Sequence, residues 1–377
     1  MIRLIFLSIL FLLSLLIVFR APTNLLWYVS ILVTELSWVF LLIVLVTLII
    51  PIRADHYYKI SFVTGIVSII IFSLPVLGAL KISEQLKAGF TFQSTHITNY
   101  SPFSFAKLIT GNYAKQIDYK TLTYDSANAL TLDFYPAVTP GIHPCIIVVH
   151  GGSWAGGNSQ QLPELNSELA KAGYHVATIN YRLAPAFKFP LPLEDLKCAL
   201  KYLQANASTL SLDPNNFVLL GRSAGGQIVL SAAYTLHEPS IKGVISYYGP
   251  ADMVWGYAHP TNKLVLNSRK IMEDYLGGTI SQVHEQYIKS SATETVGQQT
   301  VPTLLIAGKN DPLVSWIHAE KLAVKLDSAG VKHYELYLPW ATHAFDWTLN
   351  GPSGQLSTWS VFRFLEFLFP LQKRNNN

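Results

Sequence analysis

Charge is scarce in this chain. Only 13% of its 377 residues are Asp, Glu, Lys or Arg, about half the roughly 25% usual in soluble domains. A wholly solvated globule is thereby excluded, because exposed area has to carry polar groups, and the mean hydropathy of +0.30 agrees. Cysteine is scarcer still. Cys145 in an apolar strand-like run and Cys198 in a helix-like run exclude a disulfide scaffold and read as buried free thiols. A basic excess is also missing from most of the chain: residues 1–87 hold six of the 27 basic and three of the 23 acidic side chains, leaving 21 against 20 over residues 88–377. That balance excludes the basic face a nucleic-acid binder needs. There is no internal repeat, and the only low-complexity piece is the tail Asn375–Asn377.

What is abundant is apolar sequence near the start. Residues 4–19 and 61–80 are uncharged, and residues 25–50 contain a single charge, Glu35. About 20 helical residues cross a hydrocarbon core of about 30 Å, so the pattern predicts a membrane anchor over residues 1–87 with about three transmembrane helices, near 3–20, 25–50 and 61–80. The first stretch lacks a small-x-small cleavage pattern and is read as a retained helix rather than a signal peptide. The amino terminus, Arg3, Arg53 and Lys59 fall on one side, with Arg20, Lys81 and Lys87 on the other. By one charge this predicts a cytoplasmic start and a large domain on the non-cytoplasmic side. Glu35 has no charged partner in the other spans and is read as structural rather than as an ion relay.

Residues 88–114 have the composition of a linker. Beyond them, residues 117–136 alternate apolar and polar positions around Ser126–Asn128, the signature of an antiparallel hairpin. Short apolar runs at Cys145–Val149, Tyr174–Asn180, Phe217–Leu220, Val244–Tyr247, Thr303–Ala307 and His333–Leu338 alternate with helical patterns, including Leu162–Ala172 and Leu193–Ala205. The expected fold class is therefore α/β: a mostly parallel central sheet covered by helices over residues 115–373. Residues 251–300 interrupt the rhythm and carry Trp255, Tyr257, Tyr275 and Tyr287, which suits a lid or pocket insertion.

One pentapeptide carries chemistry. Gly221-Arg222-Ser223-Ala224-Gly225 follows a strand and precedes a helix, a G-x-S-x-G pattern whose small residues allow a sharp turn that projects the serine hydroxyl. A serine needs a base, and the base needs an orienting acid. Asp311 follows the run Thr303–Ala307 and His343 follows His333–Leu338, each at the carboxyl side of a strand, where ligands of such sheets bind. Asp346 is the rival acid, but it lies three residues from His343 and lacks the loop after a sheet strand. His318 is the rival base, but it falls inside a predicted helix and reads as a surface residue. His150 to Trp154, HGGSW, also follows a strand and offers backbone N–H groups which, with that of Ala224, would hold a developing oxyanion. His96, His143 and His150 lack a metal-ligand spacing, and no phosphate-cradling glycine loop is present. No metal and no cofactor is expected.

These phrases, together with NYRLAP at Asn180–Pro185, DPNNF at Asp213–Phe217 and GKNDPLV at Gly308–Val314, resemble the α/β-hydrolases of the hormone-sensitive-lipase-like and broader carboxylesterase group over residues 115–370. The resemblance implies an α/β-hydrolase fold with Ser223, Asp311 and His343 as the catalytic triad. It implies an oxyanion hole at Gly151, Gly152, Ser153 and Ala224, in which Gly151 supports the turn and the other three donate. His150, Trp154, Gly221 and Gly225 would shape the motif loops. The chain departs from many relatives in having Ser153 where they have a third glycine. The implied substrates are small or medium carboxylic esters, lipidic ones among them, with amide or peptide hydrolysis and a noncatalytic, membrane-anchored interaction protein as the alternatives. The expected partners are that substrate and, from the apolar stretches of residues 1–87, the bilayer.

Overall fold

The computed structural model describes residues 1–50, 57–89, 101–111 and 116–370. Arg53, His96, the asparagine tail and about half of the predicted linker lie outside the described residues.

Four helices open the chain: α1 (Ile2–Val18), α2 (Asn24–Glu35), α3 (Ser37–Ile49) and α4 (Tyr58–Gly89); a short α5 (Phe105–Thr110) follows. The rest alternates strands and helices: β1 (Lys120–Asp125), β2 (Leu130–Tyr135), β3 (His143–Val149), α6 (Glu164–Lys171), β4 (His175–Ile179), α7 (Leu191–Ala205), α8 (Ala207–Leu210), β5 (Leu212–Arg222), α9 (Ala224–Thr235) and β6 (Ile241–Tyr247). Four short helices fill the next stretch, α10 (Met253–Ala258), α11 (Ser268–Leu276), α12 (His284–Lys289) and α13 (Ala292–Thr295); β7 (Thr303–Gly308), α14 (Ile317–Ser328), β8 (His333–Leu338) and α15 (Pro352–Leu368) complete the chain.

The strands form one sheet in the order β1-β2-β4-β3-β5-β6-β7-β8. β1–β2 and β2–β4 pair antiparallel, and every pair from β4 to β8 is parallel. Because side chains alternate across a strand, Ile147 and Leu219 point into one core with α7, α9 and α14, while Ile146, Val148, Val218 and Leu220 point into another with α6 and α15. Burial on both faces is why these strands read as continuous apolar runs.

The second core continues into the amino-terminal helices through Leu7, Phe72 and Ala79. Trp340 lies so close to α4 that a Cβ on Gly78 would fall 2.3 Å from its ring. These helices are thus packed on the sheet domain rather than tethered to it. Among the described residues, one helix, Tyr58–Ala88, is long and apolar enough to cross a membrane by itself. α1 has 17 residues, about 25 Å at 1.5 Å per residue. The stretch expected to form one span over residues 25–50 is instead two helices meeting at 79°, so three straight spans are corrected to one plus a bent pair and a shorter helix. A buried polar contact lies at the bend. Fully buried Glu35 ends α2 and accepts the N–H of Ser353 in the first turn of α15 at 3.0 Å, where helix donors are otherwise unsatisfied and a carboxylate is favoured. The contact docks the end of α2 on the start of α15.

Candidate active site

Ser223 sits between the end of β5 and the start of α9 with φ 53° and ψ −119°, in the left-handed half of backbone space that L-residues avoid. Only small neighbours allow this turn. A Cβ on Gly221 would fall 2.2 Å from the Gly225 carbonyl oxygen, and one on Gly225 would fall 2.2 Å from that of Val149. The N–H of Ser223 is donated to Tyr247 on β6 at 2.9 Å, tying the elbow to the neighbouring strand.

The structure brings Asp311 and His343 together at the carboxyl ends of β7 and β8. Asp311 is 1% exposed. Its Oδ1 accepts the N–H groups of Leu313 and Val314 at 2.7 and 2.9 Å, and its Oδ2 accepts from His343 Nδ1 at 2.6 Å. With Nδ1 committed, Nε2 is the nitrogen left for a serine proton. Asp346 is employed elsewhere: its Oδ2 accepts from Arg222 Nε at 2.6 Å and its Oδ1 accepts from the Tyr248 hydroxyl, all three residues being buried.

The loop after β3 runs past the elbow. Gly152, Ser153 and Trp154 all have positive φ, at 115°, 55° and 58°. Ser153 therefore adopts the conformation a third glycine would take, at the cost of order 1 kcal/mol attached to a side chain there. The N–H groups of Gly152, Ser153 and Ala224 have no acceptor among the described residues. Gly151 differs, because its N–H is donated to Gln161 Oε1 at 2.7 Å; it belongs to the turn rather than to the donor set. His150 stacks on Tyr181 at 4.4 Å and donates from Nδ1 to the Gly151 carbonyl. Trp154 is held edge-on by Gln227, which accepts from its indole and from the Tyr275 hydroxyl at 3.0 and 3.1 Å, while Tyr275 stacks on its ring at 4.4 Å. Gln161 and Gln227 escaped the sequence reading, and no motif marks them.

A cavity of about 400 Å³ is lined by Ser223 and Asp311, by Ser153 and Trp154, and by a wall from the stretch between β6 and β7. That wall is Trp255–Gly256, His259–Asn262, Val265–Leu266 and the inner face of α11. Of the four aromatic residues singled out there, only Trp255 lines the cavity. Tyr275 and Tyr287 are buried beneath it, and Tyr257 is held by Glu273. His318, expected on the surface, is buried in the wall on α14: its Nδ1 accepts the Asp252 N–H at 3.2 Å and Trp255 packs edge-on at 4.9 Å. Among the described residues, no three His, Cys, Asp or Glu side chains are grouped to hold a metal ion.

Burial pushes both His150 and His318 down to about 4. Between about pH 6.5 and 4 the unfolded chain binds a proton at each site that the folded chain does not, so stability is full above that window and falls as the pH falls through it. Thermal melts from pH 7.5 to 4.5 should show this loss, up to about 1.4 kcal/mol per pH unit for each histidine, and His318→Gln should flatten the profile. An unchanged profile in that variant would mean that His318 takes up its proton over the same pH range in the folded and unfolded chains.

This sheet order, the serine elbow after β5 and the acid–histidine pair after β7 and β8 are those of an α/β-hydrolase. The BD-FAE family model matches residues 132–326, just over half of the chain, and the chain belongs to that family. Curated relatives from Mycobacterium tuberculosis include "Probable carboxylic ester hydrolase LipM", 28% identical over 69% of this chain and 63% of its own length, and esterase LipQ, 26% identical over 58% and 54%. The chain thus spans about half to two thirds of the length of the curated relatives it matches first. Among solved structures, a bacterial heroin esterase superposes with a TM-score of 0.58 at 22% identity, covering 69% of this chain and 87% of that one. Esterase Est2 of Thermogutta terrifontis superposes at 0.57 and 16% identity, covering 69% and 95%. Both likenesses speak to the fold.

Proposed function

We propose that the protein is a serine carboxylesterase that cleaves small to medium esters through an acyl-enzyme at Ser223. The observation that carries this is the 2.6 Å bond between Asp311 and His343, held at the rim of the cavity that Ser223 lines. Ser223 Oγ attacks the ester carbonyl as His343 Nε2 takes its proton, and Asp311 orients and stabilises the imidazolium. The unengaged N–H groups of Gly152, Ser153 and Ala224 receive the charge that develops on the carbonyl oxygen. His343 then protonates the leaving alkoxide, and water resolves the acyl-enzyme by the same route in reverse. The ester-hydrolase names of the M. tuberculosis relatives support the same chemistry. Trp154, Trp255, Val265, Leu266, Ile271, Met272, Leu313 and Val314 give the cavity an apolar lining, which favours an apolar acyl or alcohol group.

The amino-terminal helices seat the enzyme in a bilayer as a multi-pass protein, with the hydrolase on the non-cytoplasmic side. Support comes from large apolar side chains exposed along α1 (Ile5, Ile9, Leu12), α3 (Ile43, Val46, Ile49) and α4 (Val63, Ile70, Leu77), a surface no solvated domain maintains. The carboxyl-side positives Arg20, Lys81 and Lys87 would then lie on the hydrolase side. Membranes from expressing cells should retain the protein through alkaline carbonate washing, and the retained material should hydrolyse p-nitrophenyl acetate to octanoate and label with a fluorophosphonate. Turnover of the matching p-nitroanilides without the esters would replace the esterase by an amidase. Release by carbonate would remove the membrane assignment.

A further inference from the structure

We propose that Trp27 on α2 is a positioning residue for His343, making the α1–α2 hairpin a working wall of the active site rather than an anchor alone. The inference rests on the esterase reading. The indole Nε1 of Trp27 donates to the main-chain carbonyl of His343 at 3.1 Å, and the two ring centroids lie 6.1 Å apart at 63°. Next to it, Ser30 donates to Thr342 at 3.2 Å. The acid is braced in the same way from α1. Buried Asn310, immediately before Asp311, donates its amide to the carbonyls of Leu16 and Ile17 at 2.8 and 3.3 Å and to that of Phe19 at 3.2 Å. Both members of the acid–histidine pair therefore sit in loops whose neighbouring residues are bonded to the amino-terminal helices.

The segment that joins those helices closes the site. Arg20, Ala21 and Pro22 line the cavity, and the hairpin is laced to the opposite wall where Asn24 N–H donates to Leu264 at 3.0 Å and Asn262 donates to Pro22 at 3.3 Å. On its other side, the His343 ring meets Tyr248 at 4.4 Å. The residue after the histidine, Ala344, has φ 61°, so the loop turns through a strained position directly beyond the bond to Trp27. A hydrogen bond to a main-chain oxygen is well placed to hold such a loop, and misplacement of a catalytic group by about 1 Å costs on the order of 100-fold in rate.

Trp27→Phe keeps an aromatic ring and removes the donor. In the full-length, detergent-solubilised protein it should lower kcat on p-nitrophenyl butyrate at least about 10-fold with little change in KM, slow fluorophosphonate labelling of Ser223 in parallel, and displace the acid limb of the kcat/KM pH profile. Ser30→Ala, a milder change one turn along α2, should move the same readouts in the same direction. Leu7→Ala, fully buried on α1 more than two turns before the Leu16 carbonyl that Asn310 meets, should lower Tm and leave kcat and the pH profile alone. Unchanged kcat and pH profiles in both α2 variants would overturn the proposal. So would equal losses of kcat in all three that track Tm, which would make α2 ordinary scaffold. An unsubstituted protein that neither turns over esters nor labels would instead sink the esterase reading beneath it.

Discussion

Ser223→Ala should lower kcat on p-nitrophenyl esters by about 10³- to 10⁶-fold and abolish fluorophosphonate labelling, with Tm close to that of the parent. The magnitude follows from removing covalent catalysis while leaving the oxyanion donors and the binding cavity in place; those retain part of the acceleration over water. Fold should survive because alanine keeps the Cβ at the elbow. The clearances that make the turn belong to Gly221 and Gly225, and the elbow is tied by the main-chain N–H of residue 223 to Tyr247 rather than by the hydroxyl. A clean Ser223→Ala preparation with full turnover would remove the serine mechanism altogether.

The sheet, the serine elbow and the Asp311–His343 pair were legible for one reason: they are written in local patterns. A parallel strand buried on both faces is an uncharged run, and a serine elbow needs glycines at fixed offsets. His333–Leu338 appears in the structure with the boundaries read from sequence, whereas the start of β5 at Leu212 went unread because the polar stretch Asp213–Asn216 separates it from the apolar run Phe217–Leu220. What escaped is carried over long separations by atoms with no sequence signature. The Trp27 indole reaches a main-chain oxygen at position 343, and Asn310 reaches main-chain oxygens at the end of α1. Hydropathy alone also cannot tell a residue facing lipid from one facing protein. Residues 25–50 look like one span, yet Ser30, Thr34 and Glu35 are buried against the hydrolase and the helix bends there. His318 failed for a related reason. A histidine in an amphipathic helix reads as surface unless one knows that Trp255, more than 60 residues earlier in the chain, covers it.

The two aspartates near His343 should separate cleanly by what their loss does. Asp311→Asn leaves the packing intact but removes the carboxylate that orients the imidazole, so kcat should fall about 10³- to 10⁴-fold with Tm nearly unchanged. Asp346→Asn acts on the fold. Arg222 is 2% exposed; its Nε is bonded to Asp346, and its Nη1 and Nη2 have no hydrogen-bond partner among the described residues. Removing the one carboxylate beside it strands a buried guanidinium, a change that typically costs about 3–5 kcal/mol. For a domain of this size that corresponds to a fall in Tm on the order of 10 °C. The damage should also spread toward the site, because Arg222 is the residue before Ser223 and Tyr248, bonded to Asp346, packs its ring against His343. Activity in Asp346→Asn should therefore drop as the folded fraction drops, and cooling or osmolyte should recover much of it, whereas neither should rescue Asp311→Asn. Melting curves and kcat measured on the same two preparations decide the assignment. If Asp346→Asn kept its Tm and lost turnover as deeply as Asp311→Asn, the acid of the triad would have to be moved to Asp346, and the 2.6 Å contact between Asp311 and His343 would be a resting arrangement rather than the working one.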